Sequence, residues 1–179
     1  TGNTVDAGIS GGGILSGDYV QTTSGAGLTS HLQITGDFAR TGTMDTSTQT
    51  IANSVGFGAT DSQIDAAVRQ TSSADIQANG GVIFQYVSDS AILAASAVAN
   101  NVTSTTAGTV TQRLSATQSN TSSIVQASQW AAWGTSQDTV TSATSTANNA
   151  NLTNTGGSLD TVTNQTNAAY VRAQAEETT

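Results

Sequence analysis

Polar and apolar residues alternate in short runs along much of the chain, and many of the apolar residues are β-branched. In Gly80–Ser88 (GGVIFQYVS), the two-residue period puts Val82 and Phe84 on one face of an extended chain and Ile83 on the other. Shorter runs of the same kind, TVTQ, TVTS and TVTN, follow further along. A two-residue period in β-branched sequence is typical of β-strands, so the pattern predicts an all-β protein.

Two segments have a pattern that is also compatible with a helix. Residues 89–100 have an acidic start, an Ala- and Leu-containing interior and an Asn end, and residues 167–177 lie near the C-terminus. An acidic first turn and a terminal Asn are common at helix ends. We therefore expect that either segment, if helical, forms a short cap over one end of the fold.

A small residue followed by Asn, usually with a Val close behind, recurs about every 48 residues. The copies are GNTV (Gly2–Val5), ANSV (Ala52–Val55), ANNV (Ala99–Val102) and ANNAN (Ala147–Asn151). We take one Asn of each copy as the equivalent position in each repeat: Asn3, Asn53, Asn101 and Asn149. A fixed period of this size is typical of repeat architectures.

Each copy is followed about 17 residues later by a stretch rich in Gln, Thr and Ser, namely VQTTSG, VRQTSS, ATQSNTSS and VTNQTN. The chain is therefore predicted to be a single repeat domain over residues 1–179 and part of a longer secreted chain. Its approximate repeats are 2–51, 52–98, 99–146 and a partial fourth repeat, 147–179.

A smaller period of about 24 residues is suggested by Asn79-Gly80, which falls near the midpoint between Asn53 and Asn101. Stacked coils of about 24 residues predict a right- or left-handed β-solenoid, with two coils in each repeat. Asn tolerates the left-handed backbone of a corner, and stacked Asn side chains hydrogen-bond as a ladder. The recurring Asn residues are thus predicted to form a structural turn ladder, with the Val residues beside them pointing inward. The alternative is an antiparallel β-sandwich with Asn in its hairpin turns.

The composition favours stacked strands over a thick globular core or a disordered chain. Only 36% of residues are hydrophobic and 4% aromatic, and the chain has no Pro, the residue that a β ladder excludes because it lacks an N–H. The net charge of −8 leaves four Arg residues as the cations: Arg40, Arg69, Arg113 and Arg172. Such a surface repels nucleic acid. Without Cys, disulfides and thiolate metal sites are excluded.

Candidate catalytic chemistry is sparse. His31 is the single His, and two nearby carboxylate pairs, Asp61 with Asp65 and Asp37 with Asp45, have the character of solvated loop residues. We expect no enzyme activity, no catalytic residues, no metal site and no cofactor.

Trp130 and Trp133 in QWAAWG are possible glycan or interface contacts. Residues three apart on a strand face opposite ways, so only one of the two indoles is expected to be exposed if this segment is a strand. On a helix they would share a face.

The A-N-N/S-V repeats, followed by Thr/Ser/Gln-rich β sequence with low charge, no Pro and no Cys, resemble the holdfast anchor proteins of stalked alphaproteobacteria. The resemblance is to the larger, repeat-rich component of the outer surface. It covers most of the 179 residues and is carried by the motifs at Gly2–Val5, Ala52–Val55 and Ala99–Val102.

The resemblance implies an extracellular protein at the cell surface, associated with the outer membrane through partners. Its implied partners are other anchor-complex or fibre subunits, in a hetero- or homo-oligomer, and an adhesive polysaccharide. It implies no catalytic residues. Three alternatives stay open at this point: a carbohydrate-binding or carbohydrate-active domain like that of a phage fibre, a curli-like amyloid subunit, and an ice-binding protein with aligned Thr residues.

Overall fold

The computed structural model describes residues 1–108 and 110–179, and the side chains of residues 37–41, 88 and 136 lie outside the description. Thr109, which starts the TVTQ run, and the side chains of Asp37 and Arg40 are therefore outside the described residues. The described chain forms the strands β1 (Asn3–Ser10), β2 (Ile14–Thr23), β3 (Leu28–Thr41), β4 (Met44–Thr60), β5 (Gln63–Ser72), β6 (Ile76–Ala107), β7 (Thr111–Asn120), β8 (Ile124–Thr155), β9 (Ser158–Asn167) and β10 (Tyr170–Thr178).

Every strand pairs in parallel with the strand that lies one repeat away along the chain. The separation of paired residues runs from 46 positions, for Val125 with Val171, to 50 positions, for Asn3 with Asn53. The predicted β-solenoid is thereby confirmed, and the antiparallel sandwich is excluded. The predicted coil of about 24 residues is wrong, because a whole repeat is needed to bring the chain back over itself.

Four stacks of strand segments run along the solenoid, three with four rungs and one with three. Stack A comprises β1 and residues 53–60, 100–107 and 148–155. Stack B comprises β2, β5, β7 and β9. Stack C comprises β3, residues 76–87 and 124–136, and β10. Stack D comprises residues 44–51, 91–98 and 139–146.

The long strands bend without a turn and therefore belong to more than one stack: β4 belongs to two stacks, and β6 and β8 belong to three each. In β4, the neighbours Ala52 and Asn53 are both fully buried. Successive residues of a regular strand point to opposite faces, so inside and outside exchange at this position. The strand thereby passes from stack D into stack A.

The core is a thin layer between facing stacks. Stack A packs on stack B through residues such as Val55, Val102 and Ile64, and stack C packs on stack D through residues such as Ile76 and Ala97. Val55 and Val102 follow the Asn motifs and are fully buried, as predicted. Most of the core residues on stack D are Ala, whose small side chains need little space between the two layers.

Both segments that had a helix-compatible pattern are extended. Residues 89–100 lie within β6, and residues 167–177 run from the end of β9 through most of β10. In residues 89–100 burial falls on every second residue, from Ala91 and Leu93 to Ala99, rather than on every third or fourth. The predicted helical cap is therefore wrong: small apolar residues at alternate positions fill the narrow space against stack C.

The corner between stacks A and B has left-handed backbone in every coil. The residues there are Gly11, Asp61, Gly108 and Gly156, with φ angles of 83°, 48°, 100° and 91°. Each follows a position of stack A in the same register, and the Asp61 N–H donates to the Ala107 carbonyl of the next coil at 3.0 Å. Gly suits this backbone because it has no Cβ. The corner predicted for Asn is thus occupied mainly by Gly.

Candidate functional site

A ladder of Asn side chains runs through the interior at the start of stack A. Nδ2 of Asn3 donates to Oδ1 of Asn53 at 2.9 Å, Asn53 donates to Asn100 at 2.8 Å, and Asn100 donates to Asn148 at 2.8 Å. Asn53 and Asn100 are fully buried. Buried amides are stable only when their donors and acceptors are paired, and the ladder supplies those partners from coil to coil.

The same Nδ2 groups also tie stack A to the end of stack B. They donate to the backbone carbonyls of Thr22 (2.9 Å), Thr71 (2.9 Å), Ser119 (3.1 Å) and Thr166 (2.8 Å). Of the two polar atoms in an Asn side-chain amide, only the nitrogen can donate a hydrogen bond to a carbonyl. These backbone contacts therefore fix which way each Asn amide points, independently of its neighbours in the ladder.

The predicted turn ladder of Asn3, Asn53, Asn101 and Asn149 differs from this arrangement in two ways. Its members lie within strands rather than at corners. In addition, Asn101 and Asn149 each follow by one residue the Asn that belongs to the interior ladder, Asn100 or Asn148. They form a second, outer row, in which Asn149 Nδ2 donates to Asn101 Oδ1 at 2.7 Å and Asn101 Nδ2 to Ser54 Oγ at 3.3 Å. A one-residue step on a strand changes the face, so choosing the second Asn of each NN pair selects the outer row.

A second interior ladder consists of Gln residues on stack B, which were not among the site residues predicted from the sequence. Gln70 Nε2 donates to Gln21 Oε1 at 2.8 Å, Gln118 to Gln70 at 2.8 Å, and Gln165 to Gln118 at 2.6 Å. Gln70 and Gln118 are buried. The recurring Gln/Thr/Ser stretches carried this signal, because one Gln in each stretch falls in the same register.

The Gln amides reach across the interior to stack A. Nε2 donates to the carbonyls of Ser54 from Gln21 (3.0 Å), of Asn101 from Gln70 (2.9 Å) and of Asn149 from Gln118 (2.8 Å). Stack A therefore donates to stack B through Asn, and stack B donates to stack A through Gln. Along the axis the two ladders run in opposite directions, since Asn donates towards the C-terminal coil and Gln towards the N-terminal coil.

The two Trp residues face opposite ways, as expected for a strand. Trp133 is 4% exposed and packs in a core cluster with Val82 and Leu93. Trp130 points outward and is half-buried, with its ring against Gly81 of the preceding coil, where an added Cβ would lie 2.6 Å from the indole Cε2. A glycan or interface contact at Trp130 stays a prediction, whereas the burial of Trp133 leaves it a packing role.

Gly80 has a matching role on the inner side of the same strand. A Cβ at Gly80 would overlap the Oε1 atom of Gln129, which is 1% exposed and pairs with Gly80 in register. Gly80 and Gly81 therefore make room for the large side chains of Gln129 and Trp130 in the next coil. This explains a Gly pair in the middle of a strand, where Gly is usually unfavourable.

Gly80→Ala is expected to lower the free energy of unfolding by about 1–3 kcal/mol, because the added methyl overpacks a filled interior. In a Gln129→Ala background the same change should cost less than about 1 kcal/mol. Chemical denaturation of the four proteins of this double-mutant cycle measures both values. Equal costs in the two backgrounds would show that Gln129 does not determine the need for Gly80.

The outer face of stack B carries a shallow groove of about 500 Å³ that crosses all four rungs. Asp65, Arg113 and Asp160 line it and are in register with one another. Arg113 Nε lies 3.9 Å from Asp160 Oδ2, with side chains 64% and 75% exposed. Exposed pairs of this kind contribute little to stability, so the row is chiefly a solvated polar surface.

The remaining candidate residues are dispersed. His31 is exposed on β3, Asp61 occupies the left-handed corner, Asp45 is exposed on β4, and Arg69 and Arg172 are exposed on β5 and β10. Among the described residues, no group of three or more His, Asp or Glu side chains is arranged to hold a metal ion. No helix in the described part of the chain is long and apolar enough to cross a membrane.

The model of the family described as holdfast attachment protein D (HfaD) matches residues 1–179. No curated protein and no solved structure matches the chain. The matched range includes both interior ladders and the outer faces of all four stacks.

Proposed function

The chain belongs to the holdfast attachment protein D family, and we propose from this membership that it anchors an adhesive polysaccharide to the outer membrane. In this role it is a secreted, non-enzymatic structural protein of the cell surface and one member of a multi-protein complex. Holdfast attachment is the role described for the family. We propose in addition the attachment to the outer membrane, the partner subunits and the contact with polysaccharide.

The observation that supports a scaffolding role is the pair of interior amide ladders. Each rung binds its neighbours through the backbone and through Asn and Gln side chains that are paired inside the protein. A fully satisfied buried network makes an interior rigid and specifies one arrangement. The solenoid therefore presents its outer rows at fixed spacing, which suits a protein whose task is to hold other molecules in place.

The outer rows are suited to contact with sugars. On stack C the outward side chains include Gln77, Asn79, Ser128 and the half-exposed face of Trp130. Amides and hydroxyls pair with sugar hydroxyls, and an indole offers an apolar surface with a polar edge. The net charge of −8 disfavours anionic chains, so the polysaccharide is expected to be neutral or positively charged where it meets this protein.

Deletion of the gene should release adhesive material into the medium while its synthesis continues, because attachment rather than production is lost. Lectin staining of shed material and counting of surface-attached cells measure the two effects. Returning the wild-type gene should restore attachment. Attachment that is unchanged after deletion would contradict the proposed role. Cell fractionation and co-purification test the anchoring step separately. If attachment is lost on deletion but the protein does not fractionate with the outer membrane and co-purifies with no other subunit, the proposed anchoring step is wrong and only the role in holdfast attachment remains.

A further inference from the structure

Gly8 and Gly58 lie side by side on the outer face of stack A, and no group inside the protein requires them to be glycine. They pair in register on β1 and β4, and neither has a positive φ angle. An added Cβ at Gly58 would have no heavy atom within 4 Å, and one at Gly8 would lie 3.7 Å from the Gly58 carbonyl oxygen, an ordinary contact. At Gly80 and Gly81, in contrast, an added Cβ would overlap a side chain of the next coil.

A glycine in the middle of a strand weakens the strand, and one reason to keep it there is the close approach of a ligand or of another backbone. No group of this chain fills the space above Gly58, so the approaching group belongs to another molecule. We propose that a neutral polysaccharide chain lies over Gly8 and Gly58, along the axis of the solenoid. This inference rests on the proposed contact with polysaccharide and gives that contact a place on the surface.

The two glycines are part of a shallow groove of about 440 Å³ on the outer face of stack A, which we call the glycine channel. Its outward side chains are those of Ser10, Thr60, Thr105 and Ala107. Thr105 continues the row of Gly8 and Gly58 on the third rung, so its side chain bounds the channel there. The channel opens sideways from the stack. A further coil at either end of the solenoid would therefore lengthen this face without covering it.

Hydroxyl groups on one side of the glycine channel are available to a ligand. The side-chain hydroxyls of Ser10, Thr60 and Thr105 have no hydrogen-bond partner among the described residues. Each of them can donate one hydrogen bond and accept others. A ligand with hydroxyl groups of its own can therefore pair with all three.

The other side of the channel carries oxygen atoms from two rungs. Asp6 and Thr103 pair with Gly56 from the rungs on either side of it. Both side chains lean over Gly56, since an added Cβ there would lie 3.0 Å from Asp6 Oδ1 and 3.6 Å from Thr103 Oγ1. The floor without side chains thus lies between two rows of polar oxygen atoms.

A polysaccharide matches a surface of this kind. A sugar ring has C–H groups on its flat faces and hydroxyl groups around its edge, so a face can lie on the glycine floor while the edge bonds to the hydroxyls and the carboxylate. Rungs of a sheet are about 4.8 Å apart, and an extended polysaccharide advances by a similar distance per sugar. One ring can therefore lie over each of the two glycines.

The residues on the outer face of stack A disfavour other kinds of occupant. Its outward positions hold Thr, Ser, Asn and Gly, with Asp6 and Ala107 as the exceptions, and none of these described positions has an aromatic or large aliphatic side chain. Protein interfaces usually centre on such side chains. An anionic chain would meet Asp6 and no cation on this face. A neutral polysaccharide is the occupant that both observations favour.

Gly58→Thr tests the glycine channel in the purified chain. Threonine is favoured on strands and an added Cβ has open space at this position, so the fold should be retained while the side chain fills the channel. Binding to holdfast polysaccharide isolated from wild-type cells should weaken by about 10-fold or more, because the ring can no longer lie on the floor. Cosedimentation over a concentration series measures the binding, and urea denaturation checks the fold.

Ala67→Thr is the matched control for Gly58→Thr. Ala67 is a half-buried outward residue of the same coil, on stack B, so the substitution adds the same kind of side chain away from the channel. It should change the binding by less than about 2-fold. Equal loss of binding in the two variants would overturn the channel, as would equal binding by wild type and Gly58→Thr.

Thr105→Val tests the hydroxyl contacts without changing the shape of the channel. Loss of one hydrogen bond to the sugar should weaken binding by about 5-fold. Thr117→Val removes a hydroxyl from an exposed position of stack B and is its control, with less than about 2-fold change expected. Binding that disappears when NaCl is raised would identify a contact between charges and overturn the neutral occupant.

Two further results would contradict the channel and leave the proposed contact with polysaccharide in place. Loss of binding in Trp130→Ala, with Gly58→Thr unchanged, would put the contact on stack C. If Gly58→Thr binds polysaccharide normally but loses a subunit that co-purifies with wild type, the occupant of the channel is a protein. A wild-type chain that binds no polysaccharide would overturn both the channel and the contact, whereas gene deletion tests the role in holdfast attachment independently.

Discussion

Asn100→Asp is expected to lower the free energy of unfolding at pH 7 by about 3–5 kcal/mol, a large fraction of the roughly 5–15 kcal/mol that is typical of folded proteins. Asn100 is fully buried, and its Nδ2 donates to the Ser119 carbonyl and to Asn148 Oδ1. A carboxylate would put negative charge against both acceptors in the interior. Urea denaturation followed by circular dichroism measures the loss. Acid pH should narrow the difference from wild type, since protonation removes the charge.

Asn101→Asp is the matched control, one residue further along the same strand. Asn101 is half-buried in the outer row, where its Oδ1 accepts a hydrogen bond from Asn149 Nδ2. A carboxylate keeps that acceptor and has access to water, so the cost should stay below about 1 kcal/mol. Similar losses for the two variants would show that the inner and outer rows are not distinguished by burial.

Trp133→Ala is expected to lower the free energy of unfolding by about 3–5 kcal/mol, because it removes a large core side chain and leaves a cavity. Trp133 packs with Val82, Leu93 and Ala131 between stacks C and D. Its indole Nε1 is buried without a hydrogen-bond partner among the described residues. Trp133→Phe should therefore cost much less than Ala, since it keeps a ring and removes the unpaired N–H. Thermal and urea unfolding measure both changes.

Trp130→Ala provides the comparison for Trp133, since it removes the same side chain from the outer side of the same strand. Its ring is half-exposed and covers Gly81, so the expected loss is about 1 kcal/mol for the apolar surface returned to water. A loss at Trp130 equal to that at Trp133 would contradict the assignment of one indole to the core and the other to the surface.

The fold class could be predicted from the sequence because its signals are local or strictly periodic. The β-branched two-residue pattern, the absence of Pro and the return of Asn every 48 or so residues all favour stacked parallel strands. Coil length was not predictable in the same way. Asn79, near the midpoint of a repeat, lies on stack C and pairs with Ser128, so a residue type that recurs at half the period need not share a stack with the others.

The candidate site could be predicted to within one residue. Within Asn100-Asn101 both residues are polar and both form rows, and only the bend at Ala99-Asn100, where both side chains are buried, decides which one points inward. That bend depends on packing between stacks and leaves no local sequence signal. The Gln ladder, in contrast, had a signal in the sequence: its four members recur at 47 to 49 positions.

The stacked coils restrict which insertions and deletions the chain can tolerate. Because each rung contacts only the rungs beside it and paired residues lie 46 to 50 positions apart, removing or duplicating one complete turn would restore every Asn and Gln contact to an equivalent partner. Removing ten residues from within a strand would shift the inward side chains of that turn out of phase with both neighbours. Evolutionary insertions and deletions in the strands should therefore occur in whole turns, and short length changes should be confined to the corners.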